Sequence, residues 1–249
     1  MTVRLDGIDL VVFDKDGTII EFGSMWRGWA VTLAGALQAA TGRSVETPLF
    51  TMLGYDAATG AVLPGGGLAA TPMARLRERT REVLVGTGLT DTAADRALDK
   101  AWHAPDPVGL ARPLTDLHAL FGRLHAGGQR IAIATSDDRD STERTLAALG
   151  LSGAIETIVC ADDGVPVKPE PDMVLHLCAA VGIAPGRTAV VGDSPADLRM
   201  GRAAGAGLVI GVLTGVGARA DLEPLADIVI ASVEQLWVGW PRSGGTAHR

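Results

Sequence analysis

The segment Val11-Val12-Phe13-Asp14-Lys15-Asp16-Gly17-Thr18 is an apolar run that ends in two carboxylates one residue apart, followed by a glycine and a hydroxyl. Apolar residues prevail from residue 8 to residue 13, and such a run is typical of a strand buried on both faces in a parallel sheet. Ligands of open α/β sheets bind beyond the carboxyl ends of the strands, so Asp14 and Asp16 are placed where a substrate would lie. On these residues alone, a turn that merely ends the strand is an equally good interpretation.

The length and charge of the chain narrow the class of protein. Its 249 residues are enough for one large domain or for a core with a smaller inserted domain. The chain has 22 lysines and arginines against 29 aspartates and glutamates, and the formal charge of −7 argues against broad binding to nucleic acid or acidic membranes. The N-terminal residues lack the apolar core of a secretory signal, and no stretch approaches the roughly 18 apolar residues of a membrane span. We therefore predict a cytoplasmic protein with no nucleic-acid or membrane partner.

A helical insert is predicted directly after the first strand. Trp26, Trp29, Leu33 and Leu37 are spaced by three and four, which is typical of one face of a helix. Further helices are predicted from Thr71 and from Thr90, and the prolines at 105, 107 and 113 form a natural boundary. The predicted organisation is a core of residues 1–20 and 108–242, a helical domain of residues 21–107, and a disordered tail of residues 243–249.

From residue 108 onward, helical patterns alternate with short apolar runs. The runs that predict strands are residues 130–135, 155–160, 188–192, 207–212 and 227–230. Residues 140–143, with the sequence Asp-Ser-Thr-Glu, have the form of a capping box and predict the start of a helix there. Strands that alternate with helices indicate a parallel, doubly wound sheet, so the predicted fold class is α/β.

Polar residues follow these strands, and their chemistry is complementary. Thr135-Ser136 offers hydroxyls and backbone amides that can hold phosphate oxygens. Lys168 is a cation in a segment where two prolines fix the backbone. Asp193 is a third acid at a strand end, and Asp197 lies one helical turn further on, although Ser194 and Asp197 also fit an ordinary helix start. Each residue has a structural interpretation by itself, but together they predict one site.

As a set, these segments resemble the four motifs of the haloacid dehalogenase superfamily. Asp14-Lys15-Asp16-Gly17-Thr18 resembles the first motif, Thr135 the second, Lys168 the third, and Gly192-Asp193-Ser194 with Asp197 the fourth. The resemblance covers about residues 8–212, and the insert is similar to the C1 cap of phosphoglycolate phosphatases in that family. It implies a HAD-like Rossmannoid core with a helical C1 cap inserted after the first strand. Lys15 occupies a position that is apolar in many relatives, and we expect its side chain to point away from the two acids.

The resemblance also implies a function, namely a phosphatase that hydrolyses a small phosphomonoester substrate through an aspartyl-phosphate. Asp14 is implied as the nucleophile and Asp16 as the acid and then the base. The implied phosphate-binding residues are Thr135, Ser136 and Lys168. The implied cofactor is Mg²⁺, held by Asp14, Asp193 and the backbone carbonyl of Asp16. Thr18, Ser194 and Asp197 are implied to position these ligands without binding the ion themselves. Phosphoglycolate is the leading substrate because the insert resembles the cap of that branch.

Three other functions use related residues. A sugar phosphomutase would use the same site and differ only in protecting the intermediate from water. A hydrolase that displaces halide from carbon needs neither the second acid nor a metal, which Asp16 and Asp193 argue against. The third is a non-catalytic protein: a signalling receiver domain would carry its phosphoacceptor on a middle strand and have no insert, and a catalytically dead phosphate-binding protein would not need the intact pair of acids Asp14 and Asp16. The sequence leaves open the substrate itself and the choice between a monomer and a homodimer.

Overall fold

The structure is a computed structural model that describes residues 2–237, so the predicted tail of residues 243–249 lies outside the described residues. The strands in chain order are β1 (Val3–Arg4), β2 (Leu10–Phe13), β3 (Arg130–Ala134), β4 (Thr157–Val159), β5 (Thr188–Gly192), β6 (Leu208–Val212), β7 (Ile228–Ile230) and β8 (Leu236–Trp237). Six of them form one parallel sheet in the order β4-β3-β2-β5-β6-β7, and β1 pairs with β8 in a short second ladder. All five strands predicted after the insert are present in the six-stranded sheet.

Helices from the part of the chain after residue 108 cover both faces of this sheet, and further helices lie in the segment predicted as an insert. In chain order they are α1 (Phe22–Thr41), α2 (Glu46–Leu53), α3 (Gly67–Ala70), α4 (Met73–Gly86), α5 (Asp91–Ala101), α6 (Leu117–Ala126), α7 (Arg139–Ala148), α8 (Asp172–Val181), α9 (Pro195–Ala203) and α10 (Arg219–Leu222). Apolar residues of α6 and α7 join the core on one face, while residues of α8 and α9 join the core on the other face. The predicted α/β class with a parallel, doubly wound sheet is therefore confirmed.

The central position of β2 explains its unbroken apolar sequence. Its residues pair in register with residues 130–133 of β3 on one side and residues 188–191 of β5 on the other. Because side chains alternate along a strand, Val11 and Phe13 enter one core while Leu10 and Val12 enter the other. All four side chains are fully buried, so an unpaired polar side chain at any of these four positions would be strongly unfavourable.

Helices α1 to α5 lie between β2 and α6, where the helical insert was predicted. The chain leaves the core and returns to it at neighbouring positions, since Glu21 N donates to Arg112 O at 2.8 Å and Leu114 N donates to Ile19 O at 3.0 Å. The insert has an aromatic core in which Trp29 packs edge-on against Trp26 and Trp102, with ring centroids 5.9 and 5.3 Å apart. The division into a core and a cap at residues 20/21 and 107/108 remains a prediction.

Some local predictions differ from the structure. The capping box predicted at residues 140–143 is wrong, because α7 already begins at Arg139 and its preceding residue Asp138 makes no side-chain capping bond. The carboxylate of Asp162, from the loop after β4, accepts a hydrogen bond from the backbone N–H of Arg139 at 2.9 Å and so satisfies the helix end from outside.

Among residues 2–237, no helix is both long and apolar enough to cross a membrane.

Candidate active site

Three of the predicted residues meet at one edge of the sheet because their strands are neighbours. Asp14 follows β2, Thr135 follows β3 and Asp193 follows β5, and β2 lies between the other two. The backbone continues the ladder for one more residue, since Asp14 N donates to Val191 O at 2.9 Å. The same cavity is lined by Asp14, Asp16, Thr135, Ser136, Lys168, Asp193, Ser194 and Asp197.

Lys168 joins this group from the loop after β4. Its Nζ lies 2.5 Å from Asp14 Oδ1 and 2.6 Å from Asp197 Oδ1, and its side chain is only 4% exposed. Burial alone would lower the pKa of Lys168, but the charges of Asp14 and Asp197 outweigh that effect and raise the pKa above its ordinary value. Lys168 is therefore a permanent cation between two carboxylates.

The carboxylates outnumber the positive charge near Lys168. Ligand oxygens of Asp14, Asp193 and Asp197, all buried, lie within 4.8 Å of one another. Burial raises the pKa of Asp14 to about 6 despite the opposing charge of Lys168, and burial together with the charge of Asp14 raises the pKa of Asp193 well above its ordinary value. Asp14 Oδ2 is buried without a hydrogen-bond partner. An all-oxygen group of acids with an unpartnered oxygen fits a hard divalent cation.

The carboxylate of Asp193 is held by a loop that sequence reasoning missed. Val216 N donates to Asp193 Oδ2 at 2.7 Å, and Thr18 Oγ1 donates to Asp193 Oδ1 at 3.4 Å. A Cβ on Gly215 would lie 1.9 Å from Asp193 Oδ2, so only glycine fits there. This loop, residues 213–217, directly follows β6 at the same edge of the sheet. Its position after a predicted strand and its two glycines were the available signals.

Gly17 brings the first acidic segment against this loop. Its φ is +90°, a conformation that residues with a Cβ rarely adopt, and an added Cβ would lie 2.6 Å from Asp193 Oδ2. Thr214 Oγ1 donates to Gly17 O at 2.6 Å, which ties the two segments together. The glycine is thus needed both for the turn and for the close approach of Asp193.

Asp197 has a structural and an electrostatic role at once. Ser194 and Asp197 form a capping box at the start of α9, in which Asp197 Oδ2 accepts from Ser194 N at 3.0 Å and from Ser194 Oγ at 2.6 Å. The other oxygen of Asp197 faces Lys168. The helix cap therefore fixes the orientation of a carboxylate within the acidic group.

The expected orientation of Lys15 is wrong. Its side chain is fully buried and does not point away from the acids, because Nζ lies 2.8 and 2.7 Å from the two oxygens of Asp16 and 3.2 Å from Asp137 Oδ2. Strand alternation ends at Phe13, and residues 14–20 form a turn in which Lys15 O accepts from Ile19 N and Ile20 N, each at 3.0 Å. Burial would lower the pKa of Lys15, but Asp16 and Asp137 raise it above its ordinary value.

Asp16 is consequently separated from the other acids by its contact with Lys15. Burial raises the pKa of Asp16 above its ordinary value, although the charge of Lys15 opposes this shift. The side chain of Asp16 lies outside the group formed by Asp14, Asp193 and Asp197. A buried carboxyl group that holds its proton more tightly than usual can serve as a general acid.

The fold and the site define a class of protein. It is an α/β enzyme whose acids and lysine lie at the carboxyl ends of parallel strands, beside a helical insert. A family model described as haloacid dehalogenase-like hydrolase matches residues 8–205. The chain belongs to this family, which confirms the superfamily to which the sequence was assigned.

Individual relatives agree with this assignment. The phosphoglycolate phosphatase of Rhodospirillum rubrum is 28% identical over 247 residues, which cover 94% of this chain and 92% of that protein. Two solved structures share the fold: a predicted phosphoglycolate phosphatase from Haemophilus somnus (18% identical, TM-score 0.63, covering 91% of this chain and 95% of that one) and a putative beta-phosphoglucomutase from Thermotoga maritima (18% identical, TM-score 0.60, covering 92% and 97%). These relatives confirm the predicted resemblance to phosphoglycolate phosphatases. They also confirm the expected class of enzyme, a phosphatase.

Proposed function

We propose that this protein is a Mg²⁺-dependent phosphatase that hydrolyses a small phosphomonoester through an aspartyl-phosphate on Asp14. The observation that carries the proposal is the meeting of Asp14, Lys168, Asp193 and Asp197 in one buried group, from three segments far apart in the sequence. A lone acid at a strand end has structural explanations, but this arrangement of acids around one lysine has the charge pattern that phosphoryl transfer requires.

In the proposed reaction, a carboxylate oxygen of Asp14 attacks phosphorus and the bond from phosphorus to the leaving oxygen breaks. Asp16 gives its proton to that oxygen, so the alcohol leaves in neutral form, and the raised pKa of Asp16 supports this role. Asp16 then takes a proton from water, which attacks the phosphorus of the aspartyl-phosphate. Inorganic phosphate leaves and the carboxylate of Asp14 is restored.

Lys168, Thr135 and Ser136 are the proposed contacts of the phosphoryl oxygens. All three line the cavity beside Asp14, and Lys168 offers the positive charge. Asp14 and Asp193, with the backbone carbonyl of Asp16, are the proposed Mg²⁺ ligands, while Thr18, Ser194 and Asp197 fix their surroundings. When bound, the cation would neutralise the charge that a phosphate dianion brings to these acids.

The relatives direct the choice of first substrates. Phosphoglycolate phosphatases are among them, so the proposed substrate class is small phosphorylated metabolites, with phosphoglycolate as the first compound to test. A sugar phosphomutase is the second candidate, because a putative beta-phosphoglucomutase shares the fold. Measuring free phosphate against isomerised sugar phosphate separates the two reactions. The cytoplasmic location and the monomeric or homodimeric state remain predictions.

The function is tested by phosphate release from 4-nitrophenyl phosphate. We expect turnover with Mg²⁺, its loss after EDTA treatment, and its recovery when Mg²⁺ is added back in excess, because the acidic group repels the substrate without a cation. Calcium, which adopts larger and less regular coordination, is the comparison ion and should support much less turnover. Full activity in EDTA would contradict the proposed metal dependence, and the absence of phosphate release from any phosphomonoester would contradict the function.

Metal binding should stabilise the protein near neutral pH and much less in acid. The folded-state pKa of Asp14 is about 6 against 3.8 for the free residue, so its contribution to the stability of the metal-free protein is present below pH 3.8 and is lost as the pH rises through about 6. Mg²⁺ must replace those protons, so it binds well only above that interval. At about 100 times its Kd, the cation adds ~2.7 kcal/mol to the free energy of unfolding. For a chain of this size, that corresponds to a rise in Tm of roughly 5–10 °C.

Thermal unfolding with and without MgCl₂ at about pH 7.5 and about pH 5 measures this effect. The Asp193→Asn variant is the control, since it keeps the shape of the side chain but removes one of the acids. It should lose most of the Mg²⁺-dependent rise. An equal rise at both pH values, or an undiminished rise in the variant, would place the cation elsewhere.

A further inference from the structure

The cavity at the acids has two chemically different sides. The core side carries the acids, the hydroxyls of Thr135 and Ser136, and Lys168. The side formed by the insert is mainly apolar, and apart from Thr71 it consists of Phe22, Trp26, Leu68, Ala69, Met73 and Leu76. In a phosphomonoester whose phosphate contacts the core side, the leaving group must face the insert. The chemistry of the insert side therefore bears on the choice of leaving group.

The apolar side is a fixed wall. Trp26 is only 6% exposed, and its ring packs edge-on against Trp29 at a centroid distance of 5.9 Å and beside Phe22 at 6.3 Å. Trp29 is anchored in turn, since its Nε1 donates to His103 O at 2.5 Å. Leu76 and Met73 are buried residues of α4. An aromatic surface held in this way is preorganised to pack against an apolar ligand.

Charge is absent from the insert's side of the cavity as far as the described residues show. Among residues 21–107, those that line it include no arginine, lysine, histidine, aspartate or glutamate. The only polar side chain they contribute is that of Thr71, whose hydroxyl accepts from Arg79 Nη1 at 3.4 Å. Arg79 thus lies behind Thr71 and is not part of the lining. Lys168 is the one lysine or arginine among the described lining residues, and Asp14 and Asp197 already contact it.

We propose that the favoured leaving group is an uncharged, mainly apolar or aromatic alcohol with a polar atom at most near Thr71, and not a carboxylate-bearing alcohol such as glycolate. This inference rests on the proposed phosphatase function. A carboxylate on the insert side would lose its hydration and meet no positive charge, which is strongly unfavourable. A sugar with many hydroxyls would leave most of them without hydrogen-bond partners. An aromatic or aliphatic group would instead bury its surface against Trp26 and Leu76.

Three substrates test this assignment: phosphoglycolate, ethyl phosphate and benzyl phosphate, each with Mg²⁺. Ethyl phosphate has the two-carbon frame of phosphoglycolate without its carboxylate, and benzyl phosphate adds an aromatic ring. We expect kcat/KM for benzyl phosphate to exceed that for phosphoglycolate at least tenfold, with ethyl phosphate between them. Trp26→Leu should reduce the ratio of benzyl to ethyl phosphate severalfold. Trp102→Leu, which changes a tryptophan of the same aromatic cluster outside the cavity lining, should leave this ratio unchanged.

Each result bears on the inference in a definite way. A preference for phosphoglycolate, above all one removed by Arg79→Leu, would overturn it and show that Arg79 reaches past Thr71 to the carboxylate. An unchanged benzyl to ethyl ratio in Trp26→Leu would also contradict it. Either result would leave the proposed function intact, because phosphate is still released. Phosphate release from 4-nitrophenyl phosphate but from none of the three substrates would overturn this inference alone, whereas release from no phosphomonoester at all would overturn the proposed function as well.

Discussion

Replacing Asp14 with asparagine should lower the turnover of 4-nitrophenyl phosphate by more than about 10⁴-fold, because an amide cannot attack phosphorus as a carboxylate does. The fold should survive the change. Asp14 is one of three buried acids within 4.8 Å of one another, so the loss of its charge relieves repulsion, and Lys168 keeps its contact with Asp197. Steady-state kinetics measures the loss, and urea unfolding checks that the free energy of unfolding stays close to that of the unchanged protein.

Two further measurements make the Asp14 prediction specific. Asp6→Asn is the matched control, because Asp6 lies on the same segment and is exposed, and it should keep full activity. Mass spectrometry after brief exposure to substrate should find a phosphoryl group on the peptide that contains Asp14, and none in Asp14→Asn. Residual turnover within about tenfold of the unchanged protein would mean that another residue is the nucleophile.

Much of the candidate site followed from the sequence for a simple topological reason. Each apolar run predicted a buried parallel strand. Because parallel strands end at the same edge of the sheet, the residues that follow them lie close together there. Asp14, Thr135 and Asp193 are positioned in this way by β2, β3 and β5. Their chemical types then favoured the hypothesis of a function that handles a phosphate and a cation. Whether they perform the assigned roles is what the variants test.

The rest depended on contacts that strand periodicity does not describe. Lys168 was placed in the site by its chemistry and by the family resemblance, and strand periodicity could not add which acids its Nζ contacts, because it reaches Asp14 from a loop. The loop of residues 213–217 holds Asp193 through a backbone N–H, which any residue type offers. The predicted orientation of Lys15 is wrong because β2 ends at Phe13 and residues 14–20 form a turn, so the direction of its side chain does not follow from the strand. In all three cases the residues lie outside helices and strands. The direction of a side chain is set there by local turns and tertiary contacts.

Charge balance links these contacts into one arrangement. Asp14, Asp193 and Asp197 lie near Lys168, while Asp16 and Asp137 lie near Lys15. Each lysine compensates part of the acidic charge, and the excess stays with Asp14, Asp193 and Asp197, the first two of which are proposed ligands of the cation. Lys15 therefore holds Asp16 apart from that excess, at the cavity lining where its proposed proton transfer takes place.

Replacing Lys15 with methionine should lower the free energy of unfolding by roughly 3–5 kcal/mol, since it leaves two carboxylates without their buried counter-charge. Methionine matches the length of the lysine stem, so the loss reports charge more than packing. The pKa of Lys15 is raised, and its stabilising contribution is therefore present below its ordinary value of 10.5 and is lost only at higher pH. The destabilisation should accordingly be present throughout the neutral range, as urea unfolding at several pH values would show.

A second substitution distinguishes lost ion pairing from a general disturbance of the turn. Asp137→Asn in the Lys15→Met background removes one of the stranded charges, and the coupling between the two positions should restore roughly 1–3 kcal/mol. Lys100→Met is the matched control, because Lys100 is exposed at the end of α5, and it should change stability by less than about 0.5 kcal/mol. If Lys15→Met were as stable as Lys100→Met, or if Asp137→Asn gave no recovery, the contacts of Lys15 with Asp16 and Asp137 would not be what holds this turn.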